Sequence, residues 1–224
     1  MLTKTLAFMI LIATAHQQKL FAQEDRDSKI NTNLGMGLTV PLNPTAQFVG
    51  SSVNVVVGIG YNITKHHGLV GQFMWAGLPP SRDVLEPIRL VAATNHIGAS
   101  SNLFALTGNY RYQRQGKTFG AYVIGGGGVY FRHSSISKEV IVGTGTVCNS
   151  SWLYFGYGCV NGFVSEDRTL ISEGSTAFGG NGGVGFTIRI NEDGYKFYVE
   201  ARYHYAPNRH IPTTLIPITL GFAW

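Results

Sequence analysis

Apolar and polar residues alternate along most of the chain, in segments that are separated by turn-forming stretches. Alternation with a period of two is typical of a β-strand whose two faces meet different surroundings. The clearest case is Tyr195–Tyr205, in which Lys196, Glu200 and Arg202 lie between apolar or aromatic residues. The pattern predicts eight strands: Asn33–Leu42, Val53–Ile63, Leu69–Leu78, Asn102–Gln113, Phe119–Arg132, Thr176–Ile190, Tyr195–Tyr205 and Thr213–Trp224.

The predicted connections alternate in length. Short turns follow the second, fourth and sixth strands, whereas longer loops follow the others, at residues 43–52, 79–101, 133–175 and 206–212. Hairpins with all long loops at one end indicate an antiparallel up-and-down barrel. The facing of the fifth strand stays open, because a bulge at Gly125–Gly128 would shift its register by one residue.

The two predicted faces distinguish a membrane barrel from a soluble sandwich. The apolar face ends in Tyr, Trp and Phe, as in the aromatic girdles of membrane barrels. The other face carries glycine, threonine and charged side chains, which the core of a sandwich would bury at a high cost. Strands of about ten residues match a tilted bilayer crossing. The predicted fold class is therefore all-β, an eight-stranded antiparallel up-and-down transmembrane β-barrel.

The charged residues of the inner face predict a network in the lumen. Glu200 is the only acidic residue on the predicted strands, and Arg111, Arg189 and Arg202 share its inward face. Because an unpaired buried charge is costly, we expect Glu200 to pair with at least one of these arginines and to close the lumen to ions. A solvated lumen in which the charges never meet is the alternative.

The composition and the N-terminal residues further restrict the class of protein. Only 13% of the residues are charged and 12% are aromatic, which excludes a disordered chain. Residues 1–22 are typical of a secretory signal peptide, with Lys4 before an apolar run and cleavage expected after Ala22 or, alternatively, Ala15. Residues 23–32 would then form a periplasmic segment, and residues 33–224 the barrel.

Removing the signal peptide also changes the charge. It takes away Lys4 and Lys19 and no acidic residue, so the net charge falls from +5 to +3. The sequence has no cluster of lysines and arginines of the kind that binds nucleic acid, so we expect no nucleic-acid partner.

Export would bring the two cysteines into an oxidising compartment, where disulfides form. Cys148 and Cys159 lie in an aromatic, glycine-rich segment of the longest loop. In an oxidising compartment such a pair usually forms a disulfide, and no further metal ligands lie close by in the sequence. We therefore expect a disulfide, with no metal and no cofactor.

Taken together, the signal peptide, the eight strands, the loop asymmetry and the ending Leu220, Phe222 and Trp224 resemble small outer-membrane β-barrels of the OmpA/OmpX type. The resemblance implies the outer membrane of a Gram-negative bacterium, with lipid and lipopolysaccharide as surroundings. It also implies that the C-terminal strand is read by the outer-membrane assembly machinery.

Two motifs could carry chemistry. His133 and Ser135 have the spacing of outer-membrane lipid A deacylases, with Glu139 as a conceivable acid, but the asparagine of that family's motif is absent. The G-x-G-x-x-G pattern at 180–185 enters a strand, so it lacks the helix that a dinucleotide site needs.

The sequence thus favours a non-enzymatic structural or surface-interaction protein. Residues 133–175 are the expected contact surface for an extracellular protein or other surface ligand. A lipid A-modifying hydrolase using His133 and Ser135 and a small pore are the alternatives.

Overall fold

The computed structural model describes residues 29–92, 97–149, 158–191 and 194–224. The proposed signal peptide lies outside these residues. Eight antiparallel strands form a closed barrel in which each strand pairs with the next and β8 pairs with β1. The predicted fold is confirmed, with strands β1 (Ile30–Pro41), β2 (Ser52–Asn62), β3 (His67–Gly77), β4 (Ile97–Gln115), β5 (Phe119–Asn149), β6 (Gly158–Arg189), β7 (Lys196–Ala206) and β8 (Thr213–Ala223).

The barrel wall has the inverse of a soluble protein's polarity. Many large apolar side chains of the wall point outward, and Met36 and Phe178 are 69% and 79% exposed. Polar side chains such as Asn54, Glu200 and Thr219 point inward and are buried. A continuous exposed apolar face on a closed sheet is the surface that a lipid bilayer requires. The molecule is a transmembrane β-barrel.

Aromatic rings mark the two ends of the apolar wall. Trp75, Phe104 and Phe131 are successive cross-strand neighbours at the loop end, and the rings of Phe104 and Phe131 lie 6.3 Å apart. At the turn end the rings of Phe197 and Phe222 lie 5.7 Å apart. Such rings suit the two membrane–water interfaces.

The longest predicted loop, residues 133–175, is mostly strand. β5 continues to Asn149 and β6 begins at Gly158, and the two pair along their whole length. The segment contains no proline and many Val, Ile and Thr residues, which favour strands. The interpretation of this whole segment as a loop was wrong, because residues 133–149 and 158–175 belong to paired strands.

The register of β5 is settled by its neighbours. Its ladder with β4 runs without interruption from Gln115–Gly120 to Ile97–Lys138, so Gly125–Gly128 holds no bulge. Register shifts with β6 occur instead at Ile136/Ser137 and Ile141/Gly143. Tyr122, Ile124 and Tyr130 consequently point into the lumen and are buried.

Two short helices lie outside the barrel wall. A single 3₁₀ turn, Thr45–Gln47, follows β1, and helix α1 (Arg82–Ala92) follows β3 where the sequence predicted only a loop. No helix among the described residues is long and apolar enough to span a bilayer.

Candidate functional site

The loop end of the lumen is filled by apolar side chains. Leu78, Leu103 and Leu215 are at most 1% exposed and pack with Met74 and Tyr130 in one cluster. These side chains come from β3, β4, β5 and β8 and from the residue after β3, so they meet across the barrel. The cluster forms an apolar plug across the loop end of the lumen.

The loops above the plug are tied to one another. The Thr45 hydroxyl donates to the carbonyl of Pro212 and accepts from the backbone N–H of Thr214, both at 2.8 Å. The N–H of Gly50 donates to the carbonyl of Pro79, also at 2.8 Å. The connections after β1, β3 and β7 therefore form a bonded cap over the plug.

Below the plug the lumen is polar, and Glu200 lies at its centre. Arg202 Nε lies 2.6 Å from Glu200 Oε1, and Arg202 Nη2 donates to Oε2 at 2.9 Å. The hydroxyl of Tyr122 donates to the same Oε2 at 2.8 Å. All three residues are buried, so the carboxylate is both paired and hydrogen-bonded, as a buried charge requires.

A glycine makes the contact of Tyr122 with Glu200 geometrically possible. Tyr122, Gly185 and Glu200 are successive cross-strand neighbours on β5, β6 and β7. The tyrosine ring lies over Gly185, where a β-carbon would collide with it. The ring therefore crosses the middle strand to reach the carboxylate on the next one. Sequence reasoning missed Tyr122 because the facing of its strand was open.

The other predicted arginines take different places. Arg111 donates from Nη2 to Asn62 Oδ1 at 3.2 Å, and its guanidinium carbon lies 5.8 Å from the centre of the Tyr122 ring, within cation–π range. Arg189 lies at the turn end of β6 opposite Lys196. Within the described residues it makes no ion pair with Glu200. The structure thus brings together Glu200 and Arg202, joins Arg111 through Tyr122, and leaves Arg189 apart.

The cavity beside this network is small. Its volume is about 20 Å³, and Asn33, Arg111, Tyr122 and Glu200 are among its lining residues. A space of this size holds one water molecule. The side chains around Glu200 therefore leave room for about one water molecule beside the ion pair.

His133 and Ser135 lie on β5 beyond the aromatic girdle, but they form no relay in the described structure. The Ser135 hydroxyl lies 2.9 Å from the hydroxyl of Ser100 on β4, and no hydrogen bond joins it to His133. Glu139 lies four residues beyond Ser135, about 13 Å along the strand. The three side chains are not assembled as nucleophile, base and acid.

The turn histidines are occupied by protein groups. His66 Nδ1 lies 3.1 Å from the carbonyl of Gln113, and His67 Nδ1 contacts the hydroxyl of Tyr110. Across the described ranges, no group of three or more His, Cys, Asp or Glu residues could hold a metal ion.

Besides the lumen, the structure has a second prominent feature. It is a two-stranded ribbon formed by residues 139–149 of β5 and 158–167 of β6. β4 pairs with β5 only as far as Lys138, so beyond it β5 and β6 pair with each other alone. The ribbon extends about 35 Å past this point. Cys148 and Cys159 are cross-strand neighbours near its tip and are joined by a disulfide.

The ribbon exposes apolar side chains. Ile141 and Val142 are consecutive in β5, and both are more than half exposed, as is Phe163 on β6. Monomeric proteins rarely leave such side chains clustered in water, so an exposed apolar group of this kind marks a contact surface.

These features define the class of the protein: a transmembrane β-barrel of eight strands with a packed lumen and one long ribbon. No family model matches the sequence, and no curated protein sequence matches it.

Solved structures do match. Ail, the attachment invasion locus protein of Yersinia pestis, has 11% identity over 87% of this chain and 97% of its own, with a TM-score of 0.49. Neisserial surface protein A has 10% identity over 88% and 95%, with a TM-score of 0.47. The N-terminal β-barrel domain of Pseudomonas aeruginosa OprF has 13% identity over 88% and 98%, with a TM-score of 0.43.

Proposed function

We propose that the chain is a non-enzymatic integral protein of the bacterial outer membrane whose barrel presents the ribbon as a contact surface. The observation that carries this proposal is the ribbon itself. It leaves the barrel wall, exposes Ile141, Val142 and Phe163, and is closed near its tip by the Cys148–Cys159 disulfide. A projection of this kind adds nothing to the anchoring of a barrel, but its exposed apolar side chains suit binding to a surface outside the membrane.

The lumen supports the same proposal. The plug around Leu103 and the ion pair between Arg202 and Glu200 fill both halves of the barrel, so the barrel serves as an anchor rather than as a pore. The separation of His133, Ser135 and Glu139 gives no support to the hydrolase alternative. Export by cleavage of residues 1–22 belongs to this proposal.

Recognition of the last strand by the assembly machinery also belongs to the proposal. Leu220 and Phe222 point outward from β8. Trp224 closes the barrel by exchanging backbone hydrogen bonds of 2.8 and 3.0 Å with Thr32 of β1. The closing strand and the proposed assembly signal are therefore the same segment.

The experiment shortens the ribbon without disturbing the barrel. Glu139 and Asp167 are cross-strand partners, as are Gly145 and Gly162, so an Asn-Gly turn can replace the residues between either pair. The purified full-length protein and the two shortened variants are tested for binding to intact Gram-negative cells and to isolated envelope fractions.

We expect binding to weaken when the turn joins Gly145 to Gly162, which removes only the end of the ribbon. Binding should be lost when the turn joins Glu139 to Asp167, which removes the ribbon almost entirely. Both variants should keep the faster gel mobility of a folded barrel before heating. A shortened variant that folds and binds as well as the full chain would overturn the proposal.

A further inference from the structure

The turn end of the barrel carries a group of exposed cations, which we call the turn cations. Lys65 lies in the turn after β2, Arg114 lies near the end of β4, and Lys117 lies in the turn that follows β4. All three side chains are exposed, and none of them makes an ion pair with a described residue. Residues 61–68 and 110–122, which contain both turns, include no aspartate or glutamate. The turn cations therefore have no counter-ion in their own segments.

Hydrogen bonds hold the two turns side by side. The backbone N–H of Gln113 donates to the carbonyl of His66 at 2.8 Å, and the Gln113 side chain donates to the carbonyl of Lys65 at 3.5 Å. His66 Nδ1 lies 3.1 Å from the carbonyl of Gln113. Lys65 is thus held next to the residue that precedes Arg114, and the turn cations belong to one surface patch.

The charges at the loop end are arranged differently. There Arg89 lies 3.8 Å from Glu86, and Glu166 and Asp167 directly precede Arg168 in the chain. Basic and acidic residues are therefore interspersed at that end. A positive charge without neighbouring acidic residues is a local feature of the two turns.

Arg114 lies on the outer face of the wall, at the level of lipid head groups. Period two places its side chain on the same face as those of Tyr110 and Tyr112, which are exposed on the wall. Arg114 follows Tyr112 by two residues, about 7 Å along the strand. Tyrosines of a membrane barrel mark the membrane–water interface, so a cation just beyond them lies beside the phosphate groups of the bilayer.

A groove in the lipid-facing wall lies between this level and the middle of the membrane. Its volume is about 700 Å³, and Gly71, Gly108, Gly125, Tyr61 and Tyr110 are among its lining residues. Gly71 and Gly108 are cross-strand partners on β3 and β4. A β-carbon added to Gly108 would meet no atom within 4 Å, so the groove is open toward the bilayer.

We propose that the groove and the turn cations together bind one anionic phospholipid, with its phosphodiester at the turn cations and an acyl chain in the groove. The groove is continuous with the lipid-facing wall, so its occupant is a lipid. Positive charge without a counter-ion selects a lipid that carries net negative charge, because Lys and Arg bind phosphate oxygens. The site is separate from the proposed function, since it lies at the opposite end of the barrel from the ribbon.

The dimensions of the site match one leaflet. Gly108 precedes Arg114 by six residues, about 20 Å along β4. A strand tilted by about 45° covers about 14 Å of depth over this length, which is close to half of the hydrocarbon core. An acyl chain that begins at the level of Arg114 therefore reaches the level of Gly108.

The test uses the full chain in detergent micelles with equal amounts of phosphatidylglycerol and phosphatidylcholine that carry the same acyl chains. Native mass spectrometry counts the lipids bound to each folded protein. Wild type should bind one phosphatidylglycerol in preference to phosphatidylcholine. The triple variant Lys65→Gln/Arg114→Gln/Lys117→Gln should bind phosphatidylglycerol about tenfold more weakly and lose the preference, because it removes the positive charge that attracts the anionic head group.

The matched control removes the same charge from the other end of the barrel. Arg82, Arg168 and Arg209 are exposed at the loop end, and the triple variant Arg82→Gln/Arg168→Gln/Arg209→Gln should keep the preference for phosphatidylglycerol. Every variant should also keep the faster gel mobility of the unheated barrel, which shows that it has folded.

A second pair of variants tests the groove. Gly108→Leu fills the groove and should lower the binding of phosphatidylglycerol about tenfold, since the acyl chain loses its place. Gly180→Leu is the control, because Gly180 does not line the groove and a β-carbon added there makes only an ordinary contact at 3.6 Å.

Three results would each overturn the proposal. The first is equal binding of the two lipids by wild type, and the second is an equal loss of preference in the two triple variants. The third is a loss of preference in the turn-end triple variant with normal lipid binding by Gly108→Leu. In that case the turn cations bind the anionic groups of some other partner, and no lipid occupies the groove.

Discussion

At the scale of single residues, the lumen is organised by one carboxylate. Glu200 accepts hydrogen bonds from Arg202 and Tyr122, and Arg111 reaches it through the Tyr122 ring rather than by direct contact. A buried ion pair alone contributes little, because desolvation offsets the attraction. Removing one residue of the pair, however, leaves the other as an uncompensated buried charge, which destabilises the fold.

Glu200→Gln should therefore destabilise the barrel strongly. The change leaves Arg202 as a buried cation without a counter-ion, which costs about 3 kcal/mol of unfolding free energy. The measurement is the urea unfolding midpoint in lipid vesicles. Glu173→Gln is the control, because Glu173 is exposed on β6. Equal midpoints for the two variants would show that the network is energetically silent.

Gly185 is expected to be intolerant of a single methyl group. Gly185→Ala places a β-carbon in the space of the Tyr122 ring and should cost about 1–3 kcal/mol. Gly108→Ala is the matched control, because no atom lies within 4 Å of its added β-carbon. Unfolding midpoints of the two variants measured side by side check this. An equal loss in both would point to strand propensity rather than to the tyrosine contact.

At the scale of elements, the strand pair β5 and β6 has two parts, one in the barrel wall and one in the ribbon. Up to Lys138, β5 lies between β4 and β6 and belongs to the barrel wall. Beyond it the two strands stand alone, and an isolated hairpin is marginal in water. The disulfide between Cys148 and Cys159 compensates near the far end, by closing a short loop that gives about 3 kcal/mol in a chain-entropy estimate.

Thiol labelling should show whether the disulfide between Cys148 and Cys159 is present. The native protein should resist labelling by a maleimide until a reductant is added. In the double variant Cys148→Ser/Cys159→Ser, proteolysis should cut the ribbon faster while the urea midpoint of the barrel stays unchanged, because the wall does not depend on the ribbon tip. Quantitative labelling without reductant would refute the disulfide.

At the scale of the whole molecule, closure is the dominant property. β1 and β8 complete the ring, so no strand in the wall has an open edge, and the apolar belt faces outward all round. The plug and its hydrogen-bonded cap lie at one end, and the ion pair of Glu200 and Arg202 lies buried in the polar half. Within the described residues, the barrel is a closed cylinder with one long ribbon projecting from it.

Closure predicts the behaviour of the protein on gels. A closed barrel resists unfolding by detergent, so the unheated sample should run faster than the boiled one. The Glu200→Gln variant should lose the fast form at a lower temperature, because the lumen is weaker. A single mobility before and after boiling, together with full solubility in buffer without detergent, would contradict the barrel.

The filled lumen also predicts the electrical behaviour. Planar bilayers containing the protein should show no stepwise conductance, because Leu78, Leu103 and Leu215 pack as an apolar plug across the loop end of the lumen. Replacing these three leucines by alanine should not open a pore by itself, since Glu200, Arg202 and Tyr122 still fill the lower half. Regular conductance steps from the wild-type protein would overturn the closed lumen.

The sequence by itself determined the barrel, because each strand must present one face to lipid and the other to the lumen, and this requirement repeats at every second residue. Tyr195–Tyr205 and Thr213–Trp224 show it so plainly that their facing followed directly. The pairing of Glu200 with an inward arginine also followed, since period two places residues 200 and 202 on one face.

Only the tertiary structure decided the features that depend on neighbouring strands. The facing of Tyr122, the role of Gly185 beneath it and the placement of Arg189 away from Glu200 come from cross-strand register, which alternation within one strand does not contain. The ribbon was likewise hidden, because a two-stranded projection exposed on both faces has no need to alternate. Its strands are held by their partners, and a partner is a property of the folded chain.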